Sequence, residues 1–308
     1  MNNLRLALAT LIISLSTAVS AAGITVEGLP SDTVWYMHAD LEAMRSSDSG
    51  SRVYEWFEDE VVVEINEELG IDLNKEVESV TAFSGEDNGA IIIVEGQISE
   101  EFREKMLAIA VLQSSVDTRT HNGMEYYFIG DGSEERERSN DHLDDLEEVS
   151  YSSFAIDGKV IVSSSEEQLQ ELLDAGGKIA GSGSHDGALF VMSADTSFVQ
   201  AGLRTDALAD DDDDWNSNII RNTKQAALLV SDSAGMIAVE AKLVSTDPKM
   251  AEAIGGIING LISLQAFNSE LEPEIQSLIK MTQVEVNDNT LSISTVIDPD
   301  MVASVLED

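Results

Sequence analysis

The side chains best suited by type to nucleophilic chemistry stand together in one run, GSGSHDG, where Ser184, His185 and Asp186 are contiguous. A serine–histidine–carboxylate relay needs each member delivered from a different part of a fold, so that the hydroxyl and the carboxylate meet opposite nitrogens of the imidazole. Three neighbours in sequence cannot take up that arrangement, and the run does not form the G-x-S-x-G elbow between a strand and a helix. Its glycines and serines read as a linker. No catalytic residue is assigned. A second run, DALADDDDDWNSN, lines up Asp210 to Asp214 ahead of Trp215. Clustered carboxylate oxygens suit calcium, so Asp211, Asp212, Asp213 and Asp214 are the metal candidates. The alternation of ligands around a glycine that an EF-hand loop requires is absent, and consecutive like charges favour a solvated loop. The expectation is weak divalent-cation association, with no cofactor.

The other histidines form no metal-ligand spacing. His38 has Ser193 as its counterpart in an internal repeat described below, His121 precedes an Asn-Gly turn, and His142 lies in an acidic stretch. No H-x-x-x-H or H-E-x-x-H pattern occurs, which weighs against a zinc enzyme. Carboxylates are plentiful, but glycosidases set two of them at a fixed separation in a cleft. Such clefts are usually lined by aromatic rings, and Phe, Trp and Tyr make up only 5% of this chain.

Charge limits the partners. The 308 residues carry 58 acidic against 17 basic side chains, a net charge of −41. Nucleic acid and anionic lipid are bound by neutralising phosphates with Lys and Arg, so neither is an expected partner. A solvated acidic surface adapted to salt accounts for the excess. There is no cysteine, hence no disulfide and no thiolate chemistry.

The opening MNNLRLALATLIISLSTAVSAAG has Arg5, an apolar core from Leu6 to Ile13 fading to Val19, and small residues fitting cleavage after Ala21 or Ala22. This reads as a signal peptide over residues 1–22, with an apolar core shorter than the roughly 20 residues a membrane span needs. Loss of Arg5 with the leader takes the net charge from −41 to −42. The mature protein is expected in the periplasm or secreted, with no membrane span after cleavage.

Three collinear matches reveal a duplication. MHAD (37–40) parallels MSAD (192–195), AIIIVEG (90–96) parallels GMIAVEA (235–241), and FAIDGKVIVSSSEEQLQELLDA (154–175) parallels VEVNDNTLSISTVIDPDMVASVLE (284–307). The organisation that follows is a first α+β repeat over 23–177, with an acidic loop insertion at 130–145, a linker over 178–187, and a second α+β repeat over 188–308. Local signals place the elements. Tyr54, Phe57, Val61, Ile65 and Leu69 fall at spacings of three and four, predicting one amphipathic helix from Ser51 to Leu69 that stops at Gly70. Ser99, Asp247 and Asp298 are helix N-caps, Ser165 with Gln168 fits a capping box, and Gly176 ends that helix. Asp157-Gly158 supplies a turn. The uncharged stretch AEAIGGIINGLISLQAF (251–267) is expected as a central buried helix whose glycines let the sheet approach, with a self-association surface as the alternative. Antiparallel strands with helices packed on one face give an α+β class.

The runs GIDLNKEVESVTAF, VEGQISEEFREKML, HNGMEYYFI and FAIDGKVIVSSSEEQLQELLD resemble a broad group of exported bacterial proteins of unknown function. The resemblance covers most of residues 29–175, and the second half more faintly. It implies export and a duplicated α+β fold, and brings no catalytic or binding residue with it.

The expectation for function is an exported, soluble, non-enzymatic binding or interaction protein. It would meet a protein partner or a second copy of itself. The alternative is a periplasmic hydrolase with a carboxylate-lined cleft between the two repeats.

Overall fold

The computed structural model describes residues 33–85, 89–130, 149–178, 187–195, 222–266 and 273–307. The expected leader, most of the expected acidic insertion, most of the expected linker and Asp211 to Asp214 lie outside these residues. In chain order the elements begin with β1 (Thr33–Asp40), α1 (Leu41–Ser46), α2 (Gly50–Phe57), a π-turn (Glu58–Val62), α3 (Val63–Leu69) and α4 (Leu73–Glu76). Next come β2 (Ser79–Gly85), β3 (Ala90–Glu95), α5 (Glu100–Gln113), β4 (Ser115–His121), β5 (Met124–Gly130), β6 (Val149–Ser153), β7 (Lys159–Ser163) and α6 (Glu166–Asp174). The rest are β8 (Ala188–Asp195), β9 (Thr223–Ser233), β10 (Met236–Ser245), α7 (Pro248–Ala266), α8 (Pro273–Met281), β11 (Gln283–Asn287), β12 (Thr290–Ile297) and α9 (Pro299–Glu307).

The chain is α+β and divides into two compact units. Among the described residues, the N-terminal unit takes those from 33 to Glu42 and from Phe57 to 178; the C-terminal unit takes Ala43–Trp56 and those from 187 onward. The helix pair within 43–56 thus lies inside the first sequence repeat yet packs in the unit built from the second.

In the N-terminal unit the strand order is β1-β2-β3-β7-β6-β5-β4, every pair antiparallel. In the C-terminal unit it is β11-β12-β10-β9-β8, again antiparallel throughout. The duplication is visible in this order: β1-β2-β3-β7 and β8-β9-β10-β12 run in the same sequence, and the three matched segments fall on β1 with β8, β3 with β10, and β7 with β12.

Local chemistry sets the joints. Asn122 and Gly123 adopt φ of 49° and 85° in the two-residue turn between β4 and β5, as an Asn-Gly hairpin requires. Ser99 Oγ accepts the Phe102 N–H at 3.1 Å and caps α5. Asp298 Oδ1 and Asp247 Oδ1 accept the N–H groups of Asp300 and Lys249, each at 2.9 Å, at the starts of α9 and α7. At α6 only half the expected capping box forms. Ser165 Oγ accepts the Gln168 N–H at 3.5 Å, while the Ser165 N–H donates to Ser163 Oγ at 3.0 Å, leaving no need for the Gln168 side chain to reach back. Gly176 and Gly177, both left-handed, close that helix with N–H bonds to Leu173 and Leu172 carbonyls. The single helix expected over Ser51–Leu69 is a composite: α2, five residues of π-turn, then α3, ended by left-handed Gly70.

Helices cover both faces of the N-terminal sheet, where one covered face was expected. Adjacent residues of a strand point to opposite faces, and Tyr126 and Tyr127 meet different helices. Tyr126 Oη bonds Glu166 and Gln170 of α6, whereas Tyr127 Oη accepts from Arg103 of α5 at 2.8 Å. On the α5 side Ile71, Phe102 and Val160 form the core with Val94, Ile98 and Val162. In the C-terminal unit Ile237, Leu278 and Ile297 form a core that Val53 of α2 and Met301 and Val302 of α9 complete. α7 lies on that same face: a Cβ on Gly255 would come within 2.6 Å of Val286 Cγ2 and 3.4 Å of Leu291 Cδ1.

Candidate functional site

The densest set of polar and titratable side chains among the described residues lies on the α6 face of the N-terminal unit. Two register rows carry the first part. Asp40 pairs with Ser79, Ser79 with Glu95 and Glu95 with Lys159; two residues along, His38 pairs with Thr81. Directly opposed residues share a face, so β1, β2, β3 and β7 bring Asp40, Ser79, Glu95 and Lys159 into one line, with His38 and Thr81 beside it. His38 Nδ1 and the Thr81 hydroxyl share a hydrogen bond of 2.8 Å, and Lys159 is ion-paired with Glu95. Burial pulls the His38 pKa down, against a smaller upward pull from Asp40 and Glu95, so its imidazole is neutral near pH 7. Tyr36, on the same face, is pushed up to about 12 by burial first and the Glu95 charge second.

The second part joins the β4–β5 hairpin to α6. Glu166, Gln170 and Asp174 recur every four residues along one side of α6, and each finds partners on the hairpin. Glu166 Oε1 accepts from Arg119 Nη1 at 2.7 Å and from Tyr126 Oη at 2.6 Å. Gln170 Nε2 donates to Tyr126 Oη at 3.0 Å. Asp174 receives Asn122 Nδ2 at 2.8 Å and lies 3.0 Å from His121 Nε2. The Arg119 guanidinium also sits over the Phe128 ring at 4.8 Å and the Tyr151 ring at 5.7 Å. Burial pushes the Glu166 carboxyl up, but the Tyr126 and Arg119 bonds prevail and hold it below its ordinary range. Asn122 and His121 do the same for Asp174.

In chemical terms these networks are closed. A general acid needs a carboxyl raised toward neutrality. Among the described residues, the carboxyls with a resolved displacement, Asp72, Glu101, Glu166 and Asp174, are all lowered. Among the same residues there is no group of three or more His, Asp or Glu side chains able to hold a metal ion. Ser184, His185, Asp186, His142 and the aspartates Asp211 to Asp214 lie outside the described residues. Of the histidines that are described, His38 bonds a threonine and His121 faces an aspartate across the hairpin. Sequence reasoning missed Arg119, Tyr126 and Glu166 because 40 to 47 residues separate the partners and no short motif links them.

The helix expected to be central and buried is the other notable surface. α7 buries Ala251, Ile254 and Gly255, but Ile257, Leu261 and Leu264 are exposed, Leu264 to 71%. Nothing among the described residues comes within 4 Å of a Cβ on Gly256 or Gly260. Only Gly255, next to the pair singled out by spacing, admits the sheet. No described helix is long and apolar enough to cross a membrane.

No protein-family model matches the chain, and no curated protein does so significantly. Among solved structures, crystal form III of TP0453 is similar over 92% of this chain and 98% of that one, at 12% identity and a TM-score of 0.49. Crystal form IV is similar over 92% and 96%, at 10% identity and the same TM-score. No activity is carried over from either.

Proposed function

We propose that this chain is an exported, non-enzymatic binding protein, working in the periplasm or outside the cell. The observation that carries the reading is the state of its carboxylates. Glu166 and Asp174 are spent on tying α6 to the β4–β5 hairpin, and Glu95 on a cross-strand pair with Lys159. Side chains used in this way organise a surface. Export is supported by the leader-like sequence of residues 1–22, and the −42 charge of the chain without them disfavours nucleic acid as the ligand.

The test uses mature protein purified from its own host. Native mass spectrometry is expected to show a bound molecule at fixed stoichiometry, retained by His38→Ala and Glu95→Gln. Turnover of an ester, glycoside or peptide substrate that either substitution abolishes would overturn the reading.

A further inference from the structure

The outermost strands of the two sheets differ in what they present. β4 stands at the end of the N-terminal sheet and β11 at the end of the C-terminal one, and among the described strands each pairs with one neighbour, β5 and β12. An outer strand turns a row of N–H and C=O groups away from its sheet, a template for a further strand, and natural edges are blunted by shortness, bulges, proline or charge. β11 is five residues long with Glu285 at its centre, so a second copy laid antiparallel along its full length sets Glu285 against Glu285. β4 has seven residues, SVDTRTH, with no proline and an unbroken register against β5.

The hairpin fixes which backbone groups of β4 face outward. Its turn is two residues long, left-handed at both Asn122 and Gly123, and the pair that closes such a turn, His121 with Met124, exchanges both backbone bonds. Hydrogen-bonded pairs alternate along an antiparallel ladder, so Ser115, Asp117, Arg119 and His121 direct their backbone groups to β5. Val116, Thr118 and Thr120 direct theirs away from it. A second β4 laid antiparallel with Thr118 at the centre brings Val116 to Thr120, Thr118 to Thr118 and Thr120 to Val116, so every outward group meets another. The same register sets Asp117 opposite Arg119 of the second copy, and Arg119 opposite the Asp117 of that copy. Both fall in the non-hydrogen-bonded pairs, where Cα atoms approach to about 4.5 Å and side chains lie closest. The strand is complementary to itself in backbone and in charge.

We propose that β4 is the contact edge of a two-fold dimer, its occupant being the β4 strand of a second copy of this chain. Charge favours that occupant. The chain carries −41, or −42 without Arg5, yet along β4 one acid and one base offset each other, and the two-fold register opposes no like charges. A two-fold axis through Thr118 also sets both α5 helices on one side of the joined sheet. α5 packs beside β4 and leaves Val111 and Leu112 63% and 85% exposed, four and three residues before the strand begins. The claim is independent of the functional reading above, since such a dimer is compatible with an enzyme or a binding protein.

The sequence has no cysteine, so one introduced thiol reports one contact. Thr118 is the residue that opposes itself in this register, at about 5.5 Å between Cα atoms. In the chain lacking residues 1–22, Thr118→Cys is expected to be linked into a covalent dimer by a short bis-maleimide. Glu285→Cys, at the exposed centre of the other outer strand, is expected to stay unlinked. Sedimentation of the unsubstituted chain at about 0.15 M salt, where charges beyond about 8 Å are screened, should show a monomer–dimer equilibrium. Asp117 is exposed, and Asp117→Arg turns both cross-strand pairs into like charges. It should raise the dimer dissociation constant by about tenfold or more while the Tm measured on the monomer stays put. Should that variant fail to fold, the Thr118→Cys and Glu285→Cys comparison decides alone. The inference is overturned if the chain stays monomeric up to the millimolar range, if Asp117→Arg folds and leaves the dimer unweakened, or if Thr118→Cys is linked no more readily than Glu285→Cys. Growth past the dimer overturns it too, because β4 would then be meeting a different surface head to tail.

Discussion

Leu169 offers a sharp test of how the two units depend on each other. It lies on the inner side of α6 and is fully buried, beside Leu172 and Leu173. Truncation to alanine removes three carbons, worth about 2.4 kcal/mol at roughly 0.8 per buried methylene. The cavity left behind brings the loss to about 3 kcal/mol, within the range of about 2 to 5 seen for buried leucines. With an m-value of about 3 kcal/mol/M, the urea midpoint falls by about 1 M. Trp35 reports on the N-terminal unit and Trp56 belongs to the C-terminal one, so single-tryptophan variants follow each separately. Because residues 43–56 are held at both ends by the unit that Leu169→Ala weakens, both probes should shift together in one transition. A shift seen by Trp35 alone, with Trp56 keeping its original midpoint, would refute the coupling.

Three further outcomes follow from local geometry. Ala234 has a φ of 54° in the β9–β10 turn, a left-handed conformation costly for alanine; Ala234→Asn should stabilise by about 0.5 to 1 kcal/mol, and an unchanged or lowered Tm would show the turn to be unstrained. On α7, Gly256→Ala should stabilise by up to about 1 kcal/mol, as an open helical site allows, whereas Gly255→Ala should destabilise by roughly 1 to 3 kcal/mol through overpacking against Val286; calorimetry showing the same sign for both would contradict the packing. The folded pKa of His38 is lowered from 6.5, so the unfolded chain binds the extra proton and stability falls as pH drops below about 6.5. The lowered carboxyls Glu166 and Asp174 add loss at lower pH, below their ordinary values of 4.5 and 3.8. His38→Gln should flatten the upper part of a Tm-against-pH curve and leave the acid limb in place.

Much of the local structure was legible from residue types. Ser99, Asp247 and Asp298 cap as their short oxygen-bearing side chains require, and Asn122-Gly123 turns the chain as its positive φ allows. The π-turn also left a trace that was not used. From Phe57 to Val61, Ile65 and Leu69 the apolar spacing is four three times over. Each such step overshoots an α-helical turn by about 40°, and a wider turn at Glu58–Val62 absorbs the drift. The destination of residues 43–56 left no such trace, because amphipathic spacing marks which face is buried and is silent on what buries it. For α7, a run without charges hides its own orientation: Gly255 and Gly256 look alike in sequence, and only Val286 tells them apart. The Arg119–Tyr126–Glu166 network has no signature because cross-element pairing is decided by register.

The seating of Ser49 on Asp232 and Arg52 on Asp300 spans 183 and 248 residues of chain. Protein is synthesised N-terminus first, at about 5 to 20 residues per second. Residues 43–56 therefore emerge on the order of ten to fifty seconds before the last of the strands and helices that receive them. Throughout that interval Val53 has no Ile237–Leu278–Ile297 core to enter. The segment that completes the C-terminal core is therefore made first and seated last.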